Sequence, residues 1–216
     1  MKINSYKEYC LFQNVSRETY EKFIIFHKTL IKWQNSINLI SKNTIENIWE
    51  RHILDSAQLY NITKEFKGNI IDLGSGAGFP GLILAMMGHK KIHLVESDSK
   101  KCTFLREVSM LSEIHVKVHN SRIENLEYFD AELITARALA PLNKLIDYAE
   151  AFVNKSSTKN KFPKMLFLKG KSYRQEISNL IQKQDFSIEE FQSITDKFGK
   201  ILYINKRNML NTKNEK

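Results

Sequence analysis

Cysteine, proline and glycine are all scarce in this 216-residue chain, which has two cysteines, three prolines and eight glycines. Cys10 and Cys102 are too few for a disulfide framework or a cysteine-based zinc site, so the fold rests on packing, and a reducing compartment fits. No apolar run approaches membrane-spanning length, and Met1 to Tyr9 alternates polar and apolar residues without a signal-peptide core. The expectation is a soluble, cytoplasmic monomer with no metal and no membrane association. Internal repeats are absent as well.

With 42% hydrophobic residues, the chain can bury one sizeable core, which implies one catalytic domain with an accessory segment. The formal charge is +9, from 33 Lys and Arg against 24 Asp and Glu. A polyanionic partner accounts for that surplus, but so does a composition rich in Lys, Asn and Ile; charge alone leaves nucleic acid open.

The first sixty residues read as helical. Ser16 caps a predicted helix in which Tyr20, Phe23, Ile24, His27, Leu30 and Ile31 recur at three- and four-residue spacing. A second helix is predicted after Asn43, with a capping box to Glu46, through Trp49 and Ile53 to about Tyr60. From Asn69 short β-rich runs alternate with helical stretches: Ile70 to Leu73, Ile92 to Val95, Val116 to Val118, Leu133 to Thr135, Met165 to Leu168 and Ile201 to Ile204. Such alternation implies an α/β fold of parallel strands joined by crossover helices. The expected organisation is an N-terminal helical extension over residues 1–60 and an α/β domain over 61–216, together one structural unit. The polar stretch Asn154 to Lys161, before Pro163, is the clearest loop.

The most informative segment is Asp72-Leu73-Gly74-Ser75-Gly76-Ala77-Gly78-Phe79-Pro80-Gly81, directly after the first predicted strand. Glycines there let the backbone approach a ligand at a helix N-terminus, which implies a nucleotide-like cofactor. Gly76, Gly78 and Gly81 satisfy a dinucleotide spacing, with Glu96 about twenty residues on. The glycine that follows the strand is Gly74, however, and five residues after it stands Phe79. Pro80 suits the first turn of the helix. Asp72 at the strand tip is expected beside the loop, where its carboxylate favours a cationic ligand over a pyrophosphate. S-adenosylmethionine carries an ammonium and a sulfonium and no phosphate. Glu96, ending the second strand, is expected to accept hydrogen bonds from both ribose hydroxyls. In the turn Asn120-Ser121-Arg122-Ile123-Glu124, the backbone of Ile123 and Glu124 is a candidate reader of the adenine edge; an ordinary helix-initiating turn explains the spacing equally well.

Thr135-Ala136-Arg137-Ala138-Leu139-Ala140-Pro141, after the fourth strand, falls where ligands bind open α/β sheets. Pro80, Pro141 and Pro163 are never adjacent, which disfavours the Asn-Pro-Pro or Asp-Pro-Pro motif of exocyclic-amine methylation. Cys102 falls on a predicted helix without a nearby proline, which disfavours a pyrimidine C5 nucleophile. A ring nitrogen such as guanine N7 needs neither, because its lone pair attacks the methyl carbon directly. Arg137 is the candidate catalytic residue, holding base or cofactor by its planar fork; a structural ion pair is the competing account. His89 with His93, and His115 with His119, are spaced too widely along strands to share a metal ion. Arg51-His52 with Asp55 and Ser56 forms a helix-face polar cluster that packing against the sheet also explains. Lys169-Gly170-Lys171 is either phosphate-contacting or a basic turn.

These residues resemble the bacterial ribosomal RNA small-subunit methyltransferase G family, also called glucose-inhibited division protein B. The resemblance rests on Asn38 to Ser41, Arg51 to Ser56, Asp72 to Gly81, Leu94 to Ser97 with Lys100-Lys101, Ser121 to Glu124, Ala136 to Ala138 and Lys169-Gly170. It implies a Rossmann-like seven-stranded S-adenosylmethionine-dependent methyltransferase fold with an N-terminal helical extension. It implies N7 methylation of guanine 527 in 16S rRNA, with the small ribosomal subunit as partner. Cofactor contacts are expected at Gly74, Gly76, Phe79, Glu96, Ile123, Glu124 and Arg137, and RNA contacts at Arg51, Arg122, Lys169 and Lys171. Asn154 to Lys161 departs from the family's shorter glycine-containing turn. Two other readings stay open: a small-molecule methyltransferase with the helices as a lid, and a noncatalytic RNA-binding factor, against which the intact glycines argue.

Overall fold

Residues 3, 5–156, 162–181 and 186–207 are described by a computed structural model; part of the expected polar loop, 157–161, lies outside the described residues. The apolar runs pair into a seven-stranded sheet of β1 (Ile70–Leu73), β2 (Ile92–Glu96), β3 (Val116–Asn120), β4 (Leu133–Arg137), β5 (Lys164–Lys169), β6 (Phe186–Gln192) and β7 (Lys200–Lys206). Their order is β3-β2-β1-β4-β5-β7-β6. The first five strands are mutually parallel, whereas β7 runs antiparallel to both β5 and β6. The expectation of parallel strands therefore fails at β7, because β6 and β7 form a hairpin. β6 went unrecognised because Ser187, Glu189, Glu190 and Gln192 dilute its apolar residues, as suits an edge strand facing water.

Alternate strand residues face opposite sides. Ile70, Ile92, Leu94, Leu133, Leu166 and Leu168 join the core with helices α2 (Arg17–Gln34), α5 (Gly81–Met86) and α6 (Ser99–Leu111). Ile71, Leu73, Val95, Ile134, Ala136 and Phe167 join the opposite core with α7 (Leu142–Val153), while α8 (Tyr173–Ile181) adds Tyr173 and Leu180. The short α1 (Tyr6–Cys10) adds Tyr9 to the first face, so the N-terminal helices share the sheet's own core. Ser16 caps α2 by accepting from the Thr19 N–H at 3.1 Å, as expected.

The second predicted helix is replaced by shorter pieces. Lys42–Asn47 is a 3-10 turn preceded by Ser41, Trp49–Leu54 is a π-helical turn, and α3 (Asp55–Ala57) and α4 (Tyr60–Thr63) follow. The Asn43 capping box gives way because Thr44 binds the Ser41 carbonyl with both its N–H at 2.9 Å and its hydroxyl at 2.8 Å, which tightens the turn. The wider π-turn then carries Arg51, His52 and Asp55 to the end of β4.

One strand residue breaks the apolar pattern. Asp72 in β1 is fully buried; its Oδ2 accepts from the Gly81 N–H at 3.2 Å and its Oδ1 from the Thr135 hydroxyl at 3.2 Å. Burial pushes its carboxyl up to about 7, against the pull of those hydrogen bonds and of Arg137. A raised carboxyl binds its proton more tightly when folded, so its stabilising contribution is full below the ordinary value of 3.8 and is lost as pH rises through about 7. Asp72→Asn keeps an acceptor for Gly81 and an N–H for Thr135. The difference in urea unfolding free energy between variant and wild type should therefore grow in the variant's favour from pH 4 to pH 8, by about 1–4 kcal/mol. A difference independent of pH would show that Asp72 titrates normally.

Candidate active site

The glycine loop leaves β1 and enters α5 with different demands on different glycines. Gly76 has φ +54°, and a Cβ there would meet nothing nearer than the Gly74 carbonyl at 3.8 Å, so its open side faces the cavity it lines. At Gly81 a Cβ would lie 2.3 Å from Leu94 Cδ2, so this glycine lets α5 pack on β2. Pro80 caps α5, immediately before its first residue.

A cavity of about 510 Å³ opens over the loop. Gly74, Gly76, Phe79, Glu96, Ile123, Glu124 and Arg137 all line it, which brings together every expected cofactor contact. Glu96 Oε2 accepts from the Gly76 N–H at 2.9 Å and Oε1 from the Asp98 N–H at 2.8 Å, leaving one lone pair on each oxygen for a ligand. Ile123–Asn125 is a 3-10 turn, whose first N–H groups have no carbonyl within the turn to bind.

Asp72 is the exception to the expected arrangement. It lies beneath the loop, tying Gly81 to Thr135, and is not among the cavity-lining residues, so it offers no charge to a ligand. The physical reason is geometric: β1 is covered on both faces, and the carboxylate turns to the buried donors around it. The argument against a pyrophosphate passes to Glu96, which both occupies the Gly76 N–H and places a carboxylate there. The residues fit a ligand with hydroxyl donors near Glu96 and no phosphate at the loop.

Arg137 ends β4 with its side chain only 15% exposed. One guanidinium nitrogen donates to the Arg51 carbonyl at 3.0 Å and to Asp55 Oδ2 at 3.2 Å; the other meets His52 Nδ1 at 2.5 Å. Its centre lies 4.7 Å from the centroid of Phe79, whose ring also stacks on His52 at 5.1 Å and meets the Phe26 edge-on at 5.1 Å. Phe79, 4% exposed, thus supports the arginine more than it presents a surface. Since a guanidinium only donates, His52 Nδ1 must accept, which leaves its Nε2 protonated and donating to the Thr44 hydroxyl at 2.8 Å. Burial, then Arg137 and Arg51, holds the His52 imidazolium down to about 3. Of the polar cluster read from sequence, Arg51, His52 and Asp55 form this clamp, whereas the Ser56 hydroxyl is buried outside it; the structural ion pair foreseen for Arg137 is present.

A second cavity, of about 530 Å³, adjoins the first. His52, Arg137, Ala138 and Leu139 line both, and Ala138 has φ +52°, a left-handed conformation that costs a residue with a Cβ on the order of 1–2 kcal/mol. Asp55, Lys169, Glu176, Thr195 and Asp196 add walls. The last two, on the β6–β7 turn, escaped sequence reasoning along with β6; the polar Ser193 to Asp196 stretch ahead of Gly199 was the available signal.

The four expected RNA contacts divide. Arg51 is half-exposed beside the second cavity, 3.7 Å from Asp196. Arg122 is exposed but lines the first cavity, and Lys171 is exposed and lines neither. Lys169 lines the second cavity, but its ammonium is only 10% exposed, pairs with Glu176 at 2.6 Å and donates to the Ala140 carbonyl at 2.9 Å, which gives it a structural role. Cys102 is buried in α6, and His93 pairs with His119 at 3.0 Å; among the described residues no group of three potential metal ligands occurs. No helix among them is long and apolar enough to cross a membrane.

The sheet order, the reversed β7 and the glycine loop beneath a nucleoside-sized cavity define a Rossmann-like fold of the S-adenosylmethionine-dependent methyltransferase class. Solved structures share that fold: a ribosomal protein L11 methylase from Lactobacillus delbrueckii subsp. bulgaricus is similar at TM-score 0.57 and 14% identity, covering 73% of this chain and 79% of that one. A magnesium protoporphyrin IX methyltransferase from Synechocystis PCC 6803 with bound SAM gives TM-score 0.57 at 9% identity, covering 91% and 99%. The family model of rRNA small subunit methyltransferase G (GidB) matches residues 19–207, and the chain belongs to that family. Relatives named ribosomal RNA small subunit methyltransferase G are 43% identical in Paramagnetospirillum magneticum, over 88% of this chain and 90% of that one, and 44% identical in Rickettsia prowazekii, over 88% and 96%.

The clamp makes its own prediction. Arg137→Ala, which strips Asp55 of its cation, should lower unfolding free energy by roughly 2–4 kcal/mol, and Arg137→Lys should recover only part because a point charge cannot serve three acceptors. His52 has a depressed folded value, so its contribution is present above the ordinary 6.5 and is lost as pH falls toward about 3, opposite in sign to that of Asp72. His52→Asn should therefore flatten acid destabilisation below pH 6.5 in urea titrations. An unchanged acid limb would mean that His52 is not held neutral.

Proposed function

We propose that this chain transfers a methyl group from S-adenosylmethionine to N7 of a guanine in 16S rRNA, guanine 527 being the position that the family resemblance implies. The observation that carries the reading is the pair of adjoining cavities with Arg137, His52, Ala138 and Leu139 as common wall. One cavity has the glycine loop and Glu96 for a nucleoside, and the other has room for a second planar ligand. A transfer between two bound molecules needs this juxtaposition.

When bound, S-adenosylmethionine supplies an electrophilic methyl on a sulfonium. Glu96 is the acceptor for the ribose hydroxyls, the Ile123–Glu124 backbone reads the adenine edge, Gly76 leaves room for the ligand, and Gly74 leaves room for Leu139, where a Cβ would lie 2.5 Å from its Cδ1. Arg137 orients the target base at the wall, its rotamer fixed by Asp55, His52 and Phe79. Guanine N7 is favoured because the acidic and imidazole groups of the second cavity are committed. Asp55 holds Arg137, Gln58 and Thr195; Glu176 holds Lys169 and the Leu142 N–H; both His52 nitrogens are engaged; and Asp196 holds Arg51 and the Phe198 N–H. A lone-pair nucleophile requires none of them as a base.

The decisive experiment is methyl transfer to small ribosomal subunits from cells lacking this protein, followed by mapping of the modified nucleotide. A single N7-methylguanine is expected, at a single-turnover rate that varies little between pH 6 and 9; methylation of a metabolite and of no RNA would overturn the reading. Glu96→Ala should weaken S-adenosylmethionine binding by calorimetry roughly ten- to a hundredfold, the loss of charge-assisted hydrogen bonds worth about 1.5–3 kcal/mol.

Salt dependence separates the cations. Arg122→Ala and Lys171→Ala should each flatten the dependence of subunit affinity on salt by about one unit of slope, because each removes an exposed phosphate partner. Lys169→Ala should instead lower stability and leave the slope alone. Equal slopes for all variants would show that the RNA backbone runs elsewhere.

A further inference from the structure

The β6–β7 turn holds a feature that neither the cofactor cavity nor the clamp uses. Phe198 is 60% exposed at its tip, with Ile194 48% exposed on the same turn. Single exposed apolar residues are ordinary on protein surfaces. Here, however, Thr195, Asp196, Gly199 and Lys200, on either side of Phe198, all line the second cavity, and the exposed ring, not itself part of that lining, stands beside it.

The turn is also densely hydrogen-bonded. The Gln192 side-chain amide lies within donating distance of the carbonyls of Ser193, Asp196, Lys197 and Gly199, at 3.1–3.4 Å. Asp196 Oδ1 accepts from the Phe198 N–H at 2.9 Å, and the Ser193 hydroxyl oxygen accepts from the N–H groups of Thr195 and Asp196 at 3.2 Å each. From outside, Gln58 accepts from the Ile194 N–H at 2.9 Å, and Asp55 accepts from the Thr195 hydroxyl at 2.6 Å. A ring left in water by a backbone this constrained is presented, since a floppy loop would fold it against the protein. Its charge setting is basic: the Lys197 ammonium lies 4.9 Å from the ring centroid, and Lys200 and Arg51 line the cavity beside it.

We propose that Phe198 is a stacking platform for the unpaired base next to the target guanine, with Lys197 supplying the phosphate contact beside it. This inference rests on the reading of the chain as an RNA methyltransferase. An aromatic face flanked by cations is the chemistry that grips single-stranded nucleic acid, because every base has a π-face and every linkage a negative charge. A target base entering a cavity leaves its neighbours unstacked, and the energy of restacking one of them on Phe198 offsets part of that cost. Asp55 joins the platform to Arg137, so the same rigid unit holds the neighbour and the target.

The test uses the full-length protein and small ribosomal subunits lacking the modification. Phe198→Ala should raise KM for subunits about 5- to 150-fold, with the single-turnover rate at saturating subunit and the S-adenosylmethionine affinity unchanged. Phe198→Tyr should restore wild-type KM. Because the ring carries no charge, Phe198→Ala should leave the salt slope as it was, whereas Lys197→Ala should flatten it by about one. A wild-type KM in Phe198→Ala overturns the platform, as does failure of tyrosine to rescue. If the wild-type protein methylates no ribosomal RNA, the parent reading fails instead, and the two failures are distinguishable in one assay.

Discussion

A guanidinium cannot give up its charge when it is taken out of water, so every segment near Arg137 has to supply an acceptor or a π-face. The arrangement around it follows from this requirement. The chain after α2 leaves α-helical geometry for a π-turn, which delivers the Arg51 carbonyl, His52 and Asp55 to one place. Asp55 in turn accepts from Thr195, which fastens the β6–β7 turn to the same point. Phe79 closes the arrangement from the glycine loop. Elements far apart in sequence are thus held in register by one cation, and the wall between the two cavities is as fixed as that cation's partners make it.

The fold narrows the chemistry without choosing the acceptor. A fold of this class hosts many reactions, because the loops around the second ligand vary while the sheet does not. In this chain the variable end is built from the β4–α7 segment, the loop after β5 and the β6–β7 turn. The strained φ of Ala138 lies at the junction of the two ends, where the backbone turns sharply between the two cavities that it lines.

What the sequence made legible was local. Glycines at fixed offsets, a carboxylate at a strand end and apolar runs of strand length each announce themselves within ten residues or so, and Gly74, Gly76, Glu96 and six of the seven strands follow from them. What stayed hidden depends on partners distant in sequence. Asp72 looked like a ligand contact because its donors, Gly81 and Thr135, come from a helix start and a neighbouring strand. Lys169 looked free because Glu176 reaches it across a helix start. β6 was invisible because an edge strand is polar by necessity, and a helix-like spacing after Asn43 concealed a π-turn set by Arg137.

The excess of nine positive charges is likewise a poor guide until partners are assigned. A lysine 2.6 Å from a glutamate and nearly buried adds nothing to the field at the surface, whereas an arginine paired at 3.7 Å and half exposed can exchange its carboxylate for a phosphate at little cost. The cations beside the second cavity that are open to exchange are therefore Arg51 and Lys197, not the Lys169-Gly170-Lys171 triplet as a whole. The same exchange has a mechanical consequence. On the proposed reading, a phosphate that took Arg51 from Asp196 would leave Asp55, Thr195 and Gln58 still holding the turn, and the clamp on Arg137 would stay intact. Affinity at the rim and geometry at the wall would then be set by different contacts, which is the separation that the proposed transfer to a base requires.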